Sequence, residues 1–171
     1  MATQNLDGAK PRWGKNMIVR KMQAHEFDLT VNLFGYYRDE AIESLPYIAE
    51  EYDDNSMNAT IKHYASHWDH CWFNVYDNSR PVGFIAGYAS ECPWNKNIID
   101  ANIAFIYLLE SHRSLTNFKQ MMQQFEEWAR LIKAKNITGG DIGINPERMQ
   151  KLYEHFDFKP LLMMTKELTN E

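Results

Sequence analysis

Two apolar rhythms alternate along this chain, one at helical spacing and one continuous over short runs. From His25 to Ile42, Phe27, Val31, Phe34 and Ala41 keep to one helical face. Pro46 breaks that pattern, "EEYDDN" (50–55) reads as an acidic loop, and Ser56 stands where a helix cap belongs, before Met57, Ile61, Tyr64 and Trp68. The cleanest repeat lies within 115–133, where Phe118, Met122, Phe125, Ala129 and Ile132 follow at steps of 4, 3, 4 and 3. Asn145 followed by Pro146 predicts another start, an N-cap and then proline at the first helical position, with Met149, Leu152 and Phe156 facing one way.

The runs between these helices read as strands. "MIVRKMQ" (17–23) is one, and "CWFNVYD" (71–77), the turn "NSRP" (78–81) and "VGFIAGYAS" (82–90) form a hairpin. After the loop "ECPWNKN" (91–97) comes "IIDANIAFIYLLE" (98–110), a buried strand. "ITGGDIGIN" (137–145) is a strand with glycines, and "FKPLLMMTKEL" (158–168) closes the chain as a last strand. The order β-α-α-β-β-β-α-β-α-β predicts one α/β domain over 17–171, a mixed sheet covered by helices. Residues 1–16, with Gly8, Pro11 and Gly14 among polar residues, read as an arm outside that core, with Trp13 as its apolar anchor.

Composition narrows the class. An apolar fraction of 44% and an aromatic fraction of 13% make the chain globular, and a net charge of -5 argues against a general nucleic-acid binder. Two cysteines, Cys71 and Cys92, make no disulfide framework and point to a reducing compartment. No apolar run approaches the ~18–20 residues of a membrane span, so no membrane partner and a cytoplasmic location are expected.

The strand "IAFIYLL" followed by "ESHRSLTNFKQMM" is how a sheet hands an anion to a helix N-terminus. This pair resembles the strand, R-x-x-G-x-G/A loop and helix of the GNAT N-acetyltransferase superfamily. Arg113 takes the lead position, while Thr116 and Phe118 stand at the two glycine positions. "INPERMQKLYEHFDF" is similar to that family's N-x-x-A-x-x-L-Y-x-x-x-G-F segment. Asn145, Leu152, Tyr153 and Phe158 match it, with one extra residue between Asn and Tyr and with Asp157 where glycine is common. The resemblance covers roughly 17–168.

It implies a GNAT-like fold with a splayed parallel strand pair, here 102–109 and 137–144, and acetyl-coenzyme A (acetyl-CoA) as donor. It places the cofactor at Tyr107, Leu108, Leu109, Arg113, Ser114, Leu115, Thr116, Asn117, Phe118 and Asn145. Leu108 would offer its backbone N–H to the oxyanion. Tyr153 becomes the acid for the departing thiolate, because a phenol of pKa ~10 is protonated at neutral pH. Glu110 is the candidate base among the strand-end carboxylates Asp100, Glu110 and Asp141. Side chains at 116 and 118 crowd the phosphate site, so weaker binding than in glycine-containing relatives is expected.

The acceptor is an amine, on a small molecule or a protein. A homo-oligomer is compatible with the same residues. The competing expectation is a catalytically silent GNAT-fold structural or interaction protein, of the kind some bacteriophages carry as virion components. "HYASHWDH" (63–70) sets His63 and His67 one helical turn apart with Asp69 and His70 beyond, a spacing read here as a polar face rather than a metal site.

Overall fold

The computed structural model describes residues 17–140 and 145–161. The arm 1–16 with Trp13, the stretch containing Asp141, and residues 162–168 of the expected closing strand lie outside the described residues. The start of that strand, 158–161, carries no strand pairing.

Among the described residues, five strands form one sheet in chain order: β1 (Met17–Lys21), β2 (His70–Asp77), β3 (Arg80–Cys92), β4 (Asn95–Leu108) and β5 (Asn136–Thr138). β1 to β4 are antiparallel neighbours, and β5 pairs parallel to β4. Asn78, at φ 56, makes the tight β2–β3 turn, a left-handed position that asparagine tolerates. The expected loop 91–97 is shorter than the polar letters suggest. Cys92 pairs with Asn95, leaving only Pro93 and Trp94 at the tip.

Helices cover both faces. α1 (Phe27–Ser44), the single turn α2 (Ile48–Glu51) and α3 (Asp54–Ser66) belong to one side, α4 (Leu115–Leu131) and α5 (Pro146–Glu154) to the other. The acidic stretch 50–55 is therefore mostly helical. The cap of α3 is Asp53, whose carboxylate accepts the Ser56 N–H at 2.7 Å, so Ser56 lies inside the first turn. Trp68 falls beyond the end of α3 and is 80% exposed, because the helix closes at Ser66.

The central strands are buried on both sides, which explains why "CWFNVY" reads as an unbroken run. Its polar member, Asn74, is fully buried and satisfied. Its Oδ1 accepts from Trp72 Nε1 at 3.1 Å, and its Nδ2 donates to Thr30 Oγ1 at 2.8 Å and to the Tyr76 hydroxyl at 3.2 Å. That network fastens α1 to the sheet. On the opposite face, α4 buries Phe118, Met121, Met122 and Phe125 against β2, β3 and β4. Each such side chain contributes ~1.5–3 kcal/mol of burial, which is why α4 gave the clearest sequence signal.

One irregularity sets the shape of the sheet's far edge. Ala86 faces Phe105 and Gly87 faces Ile103, so Ala104 on β4 has no opposite number and forms a bulge. Just before it, among the described residues, the β4–β5 ladder has three pairs, the last being Asn102↔Thr138. β4 runs on to Leu108, while β5 gives way to Gly139 and Gly140. A bulge bends its strand and increases its twist, which fits the end of the described β4–β5 pairing at this point.

Candidate active site

Where β5 stops following β4, a cleft of about 770 Å³ opens between β4, α1, and the facing sides of α4 and α5. Its floor is Ile103, Ala104, Ile106, Tyr107 and Leu108; α4 adds Leu115, Phe118 and Met121. One wall is α1, through Tyr37, Glu40 and Ser44. The other is α5, through Arg148, Met149, Lys151, Leu152 and His155, with Asn145 at its cap.

The floor carries directed backbone groups. Leu109 N–H donates to Val82 C=O at 2.9 Å, so Leu109 and Val82 are a hydrogen-bonded pair of the β3–β4 ladder. Such pairs alternate with non-bonded ones in an antiparallel ladder. Leu108, opposite Gly83, and Ile106, opposite Ile85, are therefore the non-bonded positions, and their N–H and C=O groups point away from β3 into the cleft. The Leu108 carbonyl confirms that direction by accepting from Arg113 Nε at 2.8 Å.

The loop into α4 is held rigidly. Ser114 caps the helix, its Oγ accepting the Asn117 N–H at 3.2 Å, and the buried Asn117 side chain donates to the His112 carbonyl at 2.7 Å. His112 Nε2 lies 3.3 Å from Asp77 Oδ2, tying the turn to the end of β2. No residue from 113 to 118 has a positive φ, so this backbone does not need glycine. The N–H groups of Leu115 and Thr116, in the first turn, lack intrahelical acceptors, as at any helix start.

Arg113 does not stand free in solvent. Its Nη2 is 2.5 Å from Glu40 Oε2, and its guanidinium lies over the Tyr107 ring, 5.6 Å from the centroid. The Tyr107 hydroxyl donates to Glu40 Oε1 at 2.7 Å. Burial, and then the Glu40 carboxylate, push the Tyr107 hydroxyl above the ordinary tyrosine range.

The structure thus brings Tyr107, Leu108, Arg113, Ser114, Leu115, Phe118 and Asn145 to one cleft. Leu109, Thr116 and Asn117 adjoin it without lining it, and Asn117 is committed to the turn beneath. Glu110 is exposed on a 3-10 turn away from the cleft wall, and Asp100 Oδ1 accepts from Asn136 Nδ2 at 2.8 Å, clear of the cleft. Tyr153 is buried in the core, its ring 5.9 Å from that of Phe118 and 5.0 Å from that of Phe158. A Cβ on Gly139 would come within 3.0 Å of the Tyr153 ring and hydroxyl, so Gly139 is what lets that ring close against the end of β5, beside the cleft residue Gly140. Asp157 adopts φ 64, the left-handed conformation that the glycine common at this place would supply.

Sequence reasoning missed Glu40 and the basic stripe Arg148, Lys151, His155. The stripe was legible as steps of 3 and 4 on a helix with an apolar opposite face. Glu40 carried no such signal, since only the tertiary packing of α1 on β4 reveals where it points. Away from the cleft, His63 and His67 stack with ring centroids 3.7 Å apart, and His70 lies 4.4 Å from His63 with its Nδ1 on Asp69 at 2.8 Å. Among the described residues, no group of three or more His, Cys, Asp or Glu side chains is arranged to hold a metal ion, and no helix is long and apolar enough to cross a membrane.

This cleft beyond the end of the described β4–β5 ladder agrees with what the sequence matches. Residues 34–158 fit the profile of the acetyltransferase (GNAT) family. The chain belongs to that family. No curated protein matches it in sequence. Solved structures share the GNAT fold at low identity. A predicted acetyltransferase with acetyl-CoA from Clostridium acetobutylicum is 15% identical, with 90% of this chain and 96% of that one covered at a TM-score of 0.71. The aminoglycoside N-acetyltransferase AAC(6')-Iy, solved with a coenzyme A bisubstrate analogue, is 13% identical over 91% and 99% of the two chains, TM-score 0.69. A ribosomal-protein-alanine N-acetyltransferase from Brucella melitensis biovar Abortus 2308 is 15% identical over 88% and 100%, TM-score 0.61. GNAT acetyltransferases take acetyl-CoA as their donor, and the donor set of this cleft fits such a molecule. Outward-turned backbone N–H groups line the floor, Ser114 and Leu115 at the start of α4 line it too, and Arg148 and Lys151 stand on the α5 wall.

Proposed function

We propose that this GNAT chain is an acetyl-CoA-dependent N-acetyltransferase acting on an amine acceptor. The observation that carries the reading is the pair of outward-turned backbone positions, Ile106 and Leu108, ending at a helix N-terminus. Ile106 would hold the extended arm of the coenzyme as a neighbouring strand would. The first-turn N–H groups of α4, with Arg113, Arg148 and Lys151, would receive its phosphates. The bound coenzyme supplies an activated acetyl thioester. The Leu108 N–H is suited to the negative oxygen that develops on amine attack, a role a fixed backbone donor performs without reorganisation. Tyr153 is proposed as the acid for the thiolate from its position next to Gly139 and Gly140, and Glu110 reaches the amine proton only through water.

A second reading has its own support. Arg113 is already paired with a carboxylate and the Tyr153 ring sits in the core, features that suit a catalytically silent GNAT-fold interaction protein. Acetyl-CoA separates the two. At ~100 times its dissociation constant it should stabilise the fold by ~2.7 kcal/mol, read as a rise in melting temperature. Thiol release should then be followed with a panel of aminoglycosides, polyamines and short peptides with free N-termini. A melting curve untouched by saturating acetyl-CoA would favour the silent scaffold.

A further inference from the structure

Glu40 is the only carboxylate among the described residues of the cleft wall, and both of its oxygens are engaged. One accepts the Tyr107 hydroxyl and the other faces Arg113. The Glu40 and Arg113 side chains retain 39% and 32% exposure, so their pair sits at the cleft surface, where an incoming charge can exchange with either partner. Glu40 also belongs to the α1 wall, across the floor from the basic side chains of α5. The two walls therefore differ in sign: one suits phosphates, the other suits an ammonium.

Arg113 couples those walls. Its Nε is fixed on the Leu108 carbonyl, beside the N–H suited to the oxyanion, while its Nη2 holds Glu40. It immediately precedes Ser114, the cap of α4, and Ser114 and Leu115 at that helix start line the cleft. A guanidinium pairs with phosphate at least as well as with carboxylate, through the same fork of donors. A pyrophosphate arriving at α4 thus competes with Glu40 for one cation.

We propose that Glu40 is the site for the acceptor's ammonium group and that Arg113 covers it until the coenzyme's phosphates draw the guanidinium away. Binding is then ordered, coenzyme first, and the preferred acceptors are amines that arrive as cations. This rests on the acetyl-CoA reading above. The Tyr107 hydroxyl keeps the released carboxylate oriented toward the floor, since it stays protonated and continues to donate.

The test is calorimetric titration with coenzyme A of the parent, Glu40→Gln, Arg113→Gln and the double variant, each checked for an intact melting transition. Removing a competitor for a partly exposed cation should tighten coenzyme A binding about two- to fivefold in Glu40→Gln. In the Arg113→Gln background the same change should have no effect. With the best amine of the panel, Glu40→Gln should raise KM about tenfold or more while kcat changes much less, a split that a purely structural role would not produce. If Arg113→Gln does not fold, Arg113→Lys replaces it, and the tightening must again be smaller than in the parent. Unchanged or weaker coenzyme A binding in Glu40→Gln, or equal tightening without Arg113, overturns the proposal. A parent that binds no coenzyme A overturns the acetyltransferase reading itself, whereas a parent that binds it without the Glu40 response overturns this inference alone.

Discussion

Leu115→Pro would remove one proposed phosphate donor and almost nothing else. Leu115 is the first residue of α4, where proline is well tolerated because its missing N–H has no intrahelical acceptor to lose. The preceding residue must be extended to sit before proline, and Ser114 already is, at φ -145 and ψ 156. The Ser114 cap bonds Asn117, three positions further on, and would survive. The leucine side chain is 47% exposed, so little burial is lost. What disappears is a first-turn N–H at the helix start that lines the cleft. A hydrogen bond to a charged acceptor is worth ~1.5–3 kcal/mol, which corresponds to roughly ten- to 150-fold weaker acetyl-CoA binding. Titration calorimetry reads that directly, and acetyl-pantetheine, which lacks the pyrophosphate and nucleotide, is the control ligand. Its affinity should not change. Parent-like acetyl-CoA affinity in Leu115→Pro, or an equal loss for both ligands, would refute the placement of the phosphates on α4.

Three further outcomes follow from the structure. Tyr153→Phe should fold and bind acetyl-CoA as the parent does, yet lose ~10²-fold or more in turnover if the hydroxyl is the acid; equal turnover removes that role. Gly87→Ala would place a Cβ 2.3 Å from the Asn102 carbonyl oxygen and 2.5 Å from the Phe125 ring, so a loss of ~1–3 kcal/mol and a melting temperature lower by several degrees are expected. Glu26, buried and bonded to Arg20 and the Gln23 N–H, has its carboxyl pushed down to about 2, first by the Arg20 hydrogen bond against the opposing effect of burial. Its contribution, on the order of 3 kcal/mol, is complete above the unfolded value near 4.5 and is lost as pH falls toward 2. Denaturant curves should show parent and Glu26→Gln converging over that interval; a constant gap would refute it.

The legible parts of the sequence were those where one local rule governed. α4 declared itself because its apolar face is buried along its length, and α5 because Asn145 and Pro146 are an N-cap and a first-turn proline in the structure as well. The double-sided burial of β2 and β3 made their runs continuous. The boundaries that slipped were contested locally. Asp53 and Ser56 both resemble caps, and geometry decided for the carboxylate. The loop 91–97 looked polar enough to be open, yet the hairpin ladder runs nearly to its tip. In the cleft, residues consecutive with the β4–α4 junction were found from sequence because chain continuity keeps them together. Glu40 was not, since 73 residues separate it from Arg113 and only the packing of α1 joins them.

The bulge at Ala104 has a bearing on solubility as well as on the cleft's shape. Among the described residues the ladder to β5 stops just before it, and the outward-turned Ile106 and Leu108 amides lie beyond it, the arrangement that invites another extended chain to add on. A pantetheine arm laid along that row would be a plug as much as a substrate carrier. Preparations stripped of coenzyme should then form sheet-mediated aggregates sooner than preparations kept saturated, so the cell's coenzyme level would set how much of this chain stays dispersed.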